Sequence, residues 1–202
     1  GLALNRSENN IVENNYCNDN EWGIRINDSS RNVLMNNTCS SNGRDGINLT
    51  FSNNHVLSNN TCRSNDENGI FIGNSDWNTI NNSDLQYNAW VRAAAGVKFF
   101  RSNNNSVKEC QLSNNGRQDF FNSRGEGFHA SESDDNLIKN NNISANWRFG
   151  LNIDRGSMRN RVSYNLATSN TQGVALLLMP GCMDNIIDNN TGLKNFQGIY
   201  VW

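Results

Sequence analysis

The sequence predicts an all-β fold, a parallel β-helix of roughly eight to nine rungs with about 23 residues in each rung. The first of three observations is a repeat that begins at a glycine. The stretch GIRINDSSRNVLMNN starts at Gly23, and similar stretches follow at near-regular spacing. They begin at Gly46, Gly69, Gly96, Gly127, Gly150 and Gly173, with partial copies at Gly1 and Gly198. Self-similarity at a period of about 20 to 50 residues is typical of a solenoid.

The second observation is the alternation of apolar and variable residues after each glycine. Ile24 and Ile26 alternate with Arg25 and Asn27, a period of two that indicates a strand with one buried face. Helical repeats are excluded because no window shows apolar spacing of about 3.6 residues. The Leu-x-x-Leu-x-Leu frame of leucine-rich repeats is also absent.

Stacked rungs turn this alternation into inward-facing columns of apolar residues. The first predicted column is Leu2, Ile24, Ile47, Ile70, Val97, Phe128, Leu151, Val174 and Ile199. The second is Leu4, Ile26, Leu49, Ile72, Phe99, Ala130, Ile153, Leu176 and Val201. The third is Val12, Leu34, Leu57, Ile80, Val107, Ile138, Val162 and Ile187. A thin, continuous core of this kind explains how so polar a chain can fold.

The third observation is the asparagine-rich corner of each rung. Asn-Asn pairs recur at Asn14, Asn36, Asn59 and Asn140. Asparagine tolerates left-handed backbone geometry, and its side-chain amide can hydrogen-bond to an equivalent residue in the next rung. Such corners suit short strands that turn sharply, so three short strands per rung are expected.

The repeat G-I-x-L-x-x-S-x-x-N-x-I-x-N-N resembles the β-helix repeats of the NosD-like and CASH (carbohydrate-binding and sugar hydrolase) type, within the pectate-lyase-like superfamily. The segments Asn36–Ser40 and Asn59–Cys62 are similar to repeats of archaeal surface proteins. The resemblance spans almost the whole chain. It implies a right-handed helix, a polysaccharide partner, and a location that is extracellular, at the cell surface or periplasmic.

Composition and repeat structure lead to expectations about domains and partners. Residues 1–202 are expected to form one β-helix domain, with regular rungs over 1–88 and loop insertions over 89–202. The chain begins and ends inside a repeat, so we expect it to be a fragment of a longer protein. A net charge of −2 argues against a nucleic-acid partner, and no apolar run approaches the length of a membrane span. Exposed rung edges would allow end-to-end self-association.

Cys17, Cys39 and Cys62 share one position of the repeat and are expected to be small core residues. No CxxC motif or neighbouring histidine accompanies them, which argues against a metal or redox site. His55 replaces an asparagine at a corner and is expected to be structural. No cofactor is implied.

Two insertions mark the region where function is expected. They extend the rungs before Gly96 and Gly127 and comprise Ala89–Ala95 and Gly116–Glu126. Loops that interrupt a regular scaffold often carry function. A lateral cap or a drifted insertion is the alternative explanation. The residues predicted to bind substrate from these loops are Trp90, Arg92, Arg117, Phe120 and Arg124.

The outward face beside these loops carries an unusual set of titratable residues. Lys98, His129 and Asn152 occupy one position on three successive rungs, with Asp154 and Arg155 close by. A uronate lyase or C5-epimerase needs a group that neutralises the C5 carboxylate, a base and an acid. His129, Lys98, Arg155 and Asp154 are therefore predicted to be catalytic. The predicted substrate-binding residues on this face are Asn152, Arg101, Glu132 and Phe100. The segment GFHASE around His129 resembles the Asp-Pro-His segment of mannuronan C5-epimerases, with Gly-Phe in place of Asp-Pro.

Three alternatives remain open. Glu132 and Asp154 on neighbouring rungs would suit the carboxylate pair of a glycoside hydrolase. Glu132, Asp134 and Asp135 form an acidic cluster that would suit calcium. A non-catalytic structural or binding repeat at the cell surface would also explain the asparagine-rich regularity. The concentration of insertions and charges on one face favours a carbohydrate-active protein.

Overall fold

The chain forms a right-handed parallel β-helix of about eight turns with about 24 residues per turn, as the sequence predicts. A computed structural model describes residues 1–90, 94–116, 125–171 and 174–202. These residues form strands, turns and bends, and a helix that could cross a membrane is not found among them.

Three parallel sheets run along the solenoid. The first contains β1 (Leu2–Asn5), β3 (Ile24–Asn27), β5 (Ile47–Thr50), β7 (Ile70–Gly73), β9 (Ala94–Phe100), β11 (Gly125–Ser131), β13 (Leu151–Asp154), β16 (Val174–Leu178) and β19 (Gln197–Val201). The second contains β2 (Ile11–Glu13), β4 (Val33–Met35), β6 (Val56–Ser58), β8 (Thr79–Asn81), β10 (Ser106–Lys108), β12 (Leu137–Lys139), β14 (Arg161–Ser163) and β17 (Ile186–Asp188). The third contains β15 (Leu166–Thr168) and β18 (Thr191–Leu193) and is continued by single bridges from Tyr16 to Leu166.

The predicted inward columns form the core, except at the C-terminal end, where Ile199 and Val201 are exposed. Ile24 pairs with Ile47 and Ile26 with Leu49, and all four side chains are buried. Equivalent pairs continue along the first sheet as far as β13, and the third column is likewise in register along the second sheet. The alternating pattern therefore places one face of each strand in the core and leaves the other face of the first sheet pointing outward.

The predicted register is wrong at β16, whereas Ile199 and Val201 on β19 lie in the predicted columns. The repeat glycine was expected at Gly173, but Ala175 lies next to Gly150, and Leu151 pairs with Leu176 rather than with Val174. Ala175 therefore takes the position of the repeat glycine, and its side chain is buried. A shift of two residues preserves the alternation of faces, so the apolar pattern alone does not reveal it.

The cysteine column is part of the core, as expected. Cys17, Cys39 and Cys62 are free thiols, buried on successive rungs. Leu85 and Leu112 continue the column. Burial raises the pKa of Cys62 well above its usual range, because the thiolate would be desolvated and would face Cys39. These thiols act as small apolar side chains.

Candidate functional site

The outward face of the first sheet brings Lys98, His129 and Asn152 into one column. His129 on β11 pairs with Lys98 on β9 and with Asn152 on β13. Neighbouring strands in a sheet lie about 4.8 Å apart, so the three side chains leave the sheet as close neighbours. The predicted shared position is confirmed. The same column continues towards the N-terminus through Phe71 and Asn48.

The imidazole of His129 lies between two carboxylates. Its Nδ1 is 3.1 Å from Oε2 of Glu126, and its Nε2 is 3.1 Å from Oδ2 of Asp154. The side chain of Glu126 is only 4% exposed, that of His129 16% and that of Asp154 20%. A partly buried histidine flanked on both sides by carboxylates is oriented by them, and it can carry a proton on either or both nitrogens.

Glu126 connects the histidine to two further groups. Its Oε1 lies 3.4 Å from Nη1 of Arg148 and 3.4 Å from Nδ2 of Asn152. The guanidinium of Arg148 also lies over the ring of Phe149, 4.3 Å from its centroid. Cation, amide and carboxylate thus meet beside His129.

These groups surround a small cavity of about 110 Å³. Its lining consists of Glu126, His129, Arg148, Phe149, Asn152, Asp154 and Met179. The cavity combines titratable groups with an apolar wall, which is the usual character of a small-ligand site.

Asp154 is held in its ionised form. Burial raises the pKa of this carboxyl, but the close contact with the imidazole of His129 favours the carboxylate and outweighs burial, with smaller contributions from Ser131 and Arg155. The net pKa lies below its usual value. Asp154 therefore keeps its negative charge beside His129 at neutral pH.

Several buried polar atoms around the cavity lack a well-directed hydrogen-bond partner within the described chain. They are Nε2 of His129, Oγ of Ser131, Oδ1 of Asn152 and Oδ1 of Asp154. The contact from Nε2 to Asp154 is close but poorly aligned for a hydrogen bond. Buried polar atoms are normally paired, and unpaired ones tend to occur at functional sites. Three of these atoms, on His129, Asn152 and Asp154, belong to residues that line the cavity, which makes the cavity a candidate site for a polar ligand.

The other predicted residues on this face form a separate row. Arg101, Glu132 and Arg155 occupy equivalent left-handed turn positions after their strands. Nε of Arg101 lies 2.8 Å from Glu132, Nη1 of Arg155 lies 4.0 Å from it, and Arg101 covers the ring of Phe100. These groups do not line the cavity of His129, and Arg155 is 67% exposed. The charge of Arg155 reaches the site only through its effect on the pKa of Asp154.

The loop residues contribute little to the described site. Trp90 is partly exposed and donates its indole N–H to the carbonyl oxygen of Tyr87. The predicted residues Arg92, Arg117, Phe120 and Arg124 lie outside the described residues.

The geometry does not favour the predicted carboxylate pair or the calcium cluster. Asp154 pairs in register with Ser131, whereas Glu132 lies in the turn and is bound by arginines. Asp134 and Asp135 both form ion pairs with Arg159, at 3.3 and 2.8 Å. Among the described residues, no group of three or more His, Cys, Asp and Glu side chains is placed to hold a metal.

The structure adds site residues that the sequence reasoning did not select. Glu126, Arg148, Phe149 and Met179 line the cavity. Glu126 and Phe149 directly precede the repeat glycines Gly127 and Gly150. Alignment of the copies on the residue before the glycine, and not only on the residues after it, would have drawn attention to Glu126.

Family models match the chain along its whole length. The model described as periplasmic copper-binding protein (NosD) matches residues 1–119, and the model described as right handed beta helix region matches residues 87–202. The chain belongs to the NosD and right-handed β-helix families. No curated protein matches this NosD family member in a sequence comparison.

Solved structures share the fold of this NosD family member. The A-module of mannuronan C-5 epimerase AlgE4 from Azotobacter vinelandii superposes with a TM-score of 0.80 at 16% identity, over 96% of this chain and 56% of that chain. The periplasmic alginate epimerase AlgG superposes with a TM-score of 0.81 at 15% identity, over 94% of this chain and 46% of that chain. Tailspike protein 2 of bacteriophage CBA120 superposes with a TM-score of 0.56 at 10% identity, over 96% of this chain and 39% of that chain. The chain spans about half of the length of the two epimerases, and at these identities the likeness concerns the fold alone.

Proposed function

We propose that the chain binds an acidic, uronate-containing polysaccharide along the outward face of the first sheet and transfers the C5 proton of a uronate unit at His129. The observation that carries the proposal is the placement of His129 between Glu126 and Asp154, in a cavity that also holds Arg148 and Asn152. A uronate unit presents an acidic C5–H bond beside a carboxylate. His129 can accept the C5 proton, and Arg148 and Asn152 can bind the carboxylate. The fold shared with two alginate epimerases supports the same substrate class.

Each group has a proposed role in the proton transfer. Arg148 and Asn152 exchange their contact with Glu126 for the substrate carboxylate and stabilise the charge that builds up on it. Glu126 and Asp154 orient the imidazole, which takes the proton from C5. Lys98, one strand away, donates a proton. Donation to the opposite face of C5 would give epimerisation, and donation to the leaving oxygen at C4 would give a lyase.

We further propose that the protein acts outside the cytoplasm, in the periplasm or at the cell surface. The matched NosD family is described as periplasmic, and so is the epimerase AlgG. The NosD description also names copper, but the described residues do not fit that metal. Their stacked cysteines are buried in the core, and burial disfavours the thiolate that copper would need.

The test combines two assays on alginate, pectate and glycosaminoglycans. One measures new unsaturated uronate ends by ultraviolet absorbance, and the other measures exchange at C5 in deuterated water. We expect His129→Gln to lower the rate by about 100-fold or more, the usual contribution of a general acid–base group. Arg161→Ala is the control, because Arg161 lies on the second sheet and pairs only with Asp188 among the described contacts.

The outcomes separate the alternatives. Rates equal in the parent and His129→Gln would contradict the proton-transfer role. Polymer binding without either activity would support the non-catalytic surface repeat. Absence of both binding and activity on all polymers would overturn the proposed function.

A further inference from the structure

A second cavity lies on the same face towards the N-terminus. It has a volume of about 270 Å³, and its lining includes Arg44, Asp45, Asn48, Glu67, Phe71 and Lys98. Lys98 is the register neighbour of His129, so this cavity begins one rung from the site described above. The sequence pattern indicates only regular scaffold at residues 44 to 71.

The polar part of this cavity repeats the geometry of the His129 site. Asp45 directly precedes the repeat glycine Gly46, as Glu126 precedes Gly127. Nδ2 of Asn48 donates to Asp45 at 2.7 Å across the same three-residue separation that joins His129 to Glu126. The backbone and side-chain amides of Asn68 also donate to Asp45, at 3.0 and 2.8 Å. Asp45 is thus a fixed acceptor that orients two amide side chains within the cavity wall.

Phe71 provides a flat aromatic surface in the same cavity. Its ring lies over Gly73, where an added Cβ would be 2.6 Å from Cε1 of the ring. The glycine therefore leaves the room that lets the ring lie along the sheet. Aromatic faces of this kind pack against apolar faces of ligands, including the C–H face of a sugar.

Two cations flank the ring. Lys98 follows Phe71 in the outward column. Arg44 is held by Glu67, with Nε 3.2 Å from Oε1, and its Nη1 lies 4.0 Å from Oε1 of Glu21. Its guanidinium also lies 4.8 Å from the centroid of Trp22. These contacts fix the guanidinium while leaving further N–H donors for an anion.

From this arrangement we infer that the cavity around Phe71, Arg44 and Lys98 is a second sugar subsite, which binds an acidic unit of the same polysaccharide. It extends from Lys98, one rung from His129, through Phe71, two rungs away, to Arg44, three rungs away. The inference rests on the proposed function. Three rung spacings amount to roughly 14 Å, so a chain must have about four units or more to occupy both sites. Longer oligomers are therefore bound more tightly than short ones.

The test measures the affinity of mannuronate and galacturonate oligomers of about three and about eight units by calorimetry. We expect Arg44→Ala and Phe71→Ala each to weaken the longer oligomer about tenfold, the effect of losing one charged or stacking contact, and to leave the trimer unchanged. Gly73→Ala keeps Phe71 but displaces its ring, and we expect the same effect. Arg31→Ala is the matched control, because Arg31 is also an exposed arginine paired with a glutamate, Glu8.

The result separates this inference from the proposed function. If Asn152→Ala weakens both oligomers while the Arg44, Phe71 and Gly73 variants bind like Arg31→Ala, the second subsite is wrong and the His129 site survives. If neither oligomer binds to the parent, both are overturned. A loss of trimer affinity in Arg44→Ala equal to its loss for the longer oligomer would also contradict a separate subsite.

Discussion

The two histidines of the chain occupy opposite faces of the β-helix wall. His55 stands in a corner column of asparagines and is buried. Its Nδ1 accepts the backbone N–H of Asn32 at 3.0 Å, and its Nε2 lies 3.2 Å from the carbonyl oxygen of Ser29. An imidazole that accepts at Nδ1 and donates from Nε2 must be neutral. Burial accordingly lowers the pKa of His55 below its usual value.

This lowered pKa makes the free energy of unfolding dependent on pH. Below about pH 6.5 the unfolded chain binds a proton at His55 that the folded chain does not bind, so stability is present above that pH and falls as the pH falls. The slope approaches about 1.4 kcal/mol per pH unit for one proton. We expect His55→Asn to remove this slope, because asparagine can make the same two hydrogen bonds without titrating. Urea unfolding between about pH 7 and pH 5 measures how the free energy of unfolding depends on pH.

His129 is the only other histidine of the chain, so it is replaced in both proteins that are compared. The comparison is therefore made between His129→Gln and the double variant His129→Gln with His55→Asn. An unchanged pH slope in the double variant would show that His55 does not titrate as described.

Only some residues of the candidate site could be predicted from the sequence. His129 and Asn152 can be found because both stand a fixed number of residues after a glycine, within strands of regular length. Glu126 is harder to find, because it ends an insertion in a rung of 31 residues from Gly96 to Gly127. The contact between Glu126 and Arg148 depends on how two rungs of different length align, which spacing along one rung does not specify.

At the scale of the structural elements, the corners are held by columns of side chains that bond from rung to rung. In each asparagine column the backbone N–H of one residue donates to Oδ1 of its equivalent in the next rung, as Asn37 does to Asn60 at 3.0 Å. The side-chain amide donates back to a carbonyl, as Asn60 does to Leu34. These bonds satisfy backbone groups that the sharp turns remove from the sheets.

One of these columns is interrupted. It runs through Asn15, Asn37, Asn60, Ser83, Cys110, Asn141, Asn165 and Asn190. Burial raises the pKa of Cys110 to about 12, although the backbone groups of Ser83 and Lys108 partly oppose it. A neutral thiol is a weak hydrogen-bonding group, so the corner at Cys110 has weaker hydrogen bonds to the adjacent rungs than the asparagine corners have.

We expect Cys110→Asn to raise the free energy of unfolding by about 1 kcal/mol, the net value of a typical buried hydrogen bond. The new amide can accept from Ser83 and donate to Asn141 and to the carbonyl of Ile80, as Asn141 donates to Asn165 and to Val107. Urea unfolding at neutral pH provides the measurement.

Cys110→Ser is the matched control, since serine is polar and small and can accept from the preceding rung, as Ser83 does from Asn60. Its single O–H, however, can donate only one of the two bonds that the asparagine amide donates. If Cys110→Asn were no more stable than Cys110→Ser, the amide would not complete the column.

The register of strand β16 is a feature of the fold that could not be predicted from the sequence. The columns from Leu2 to Leu151 can be predicted because each glycine, strand and corner recurs in the same order. At β16 the chain gains two residues, and Val174, Leu176 and Leu178 offer the same alternation in either register. Hydrogen bonds from β13 select the register with Ala175 beside Gly150, and no feature of the apolar pattern distinguishes it.

At the scale of the whole molecule, each rung is stabilised by the rungs on either side. Val107 on β10 is paired with Ile80 and Ile138 and is fully buried. Val12 on β2 lies in the same column, and among the described strands it pairs with Leu34 of β4 alone. The stability of a solenoid is approximately a sum of terms within rungs and between neighbouring rungs. Position along the solenoid should therefore change the cost of an identical substitution.

We expect Val107→Ala to lower the free energy of unfolding by about 2 kcal/mol, because it opens a cavity in a column that is closed on both sides. Val12→Ala should cost clearly less, because one rung alone packs against that side chain and the site can relax. Chemical denaturation of the two variants, followed by circular dichroism, measures the difference. The removed atoms are the same in both variants, so each serves as the control for the other. If both variants lost the same free energy of unfolding, the cost of the substitution would not depend on the number of neighbouring rungs. That result would contradict the view that each rung is stabilised by the rungs on either side.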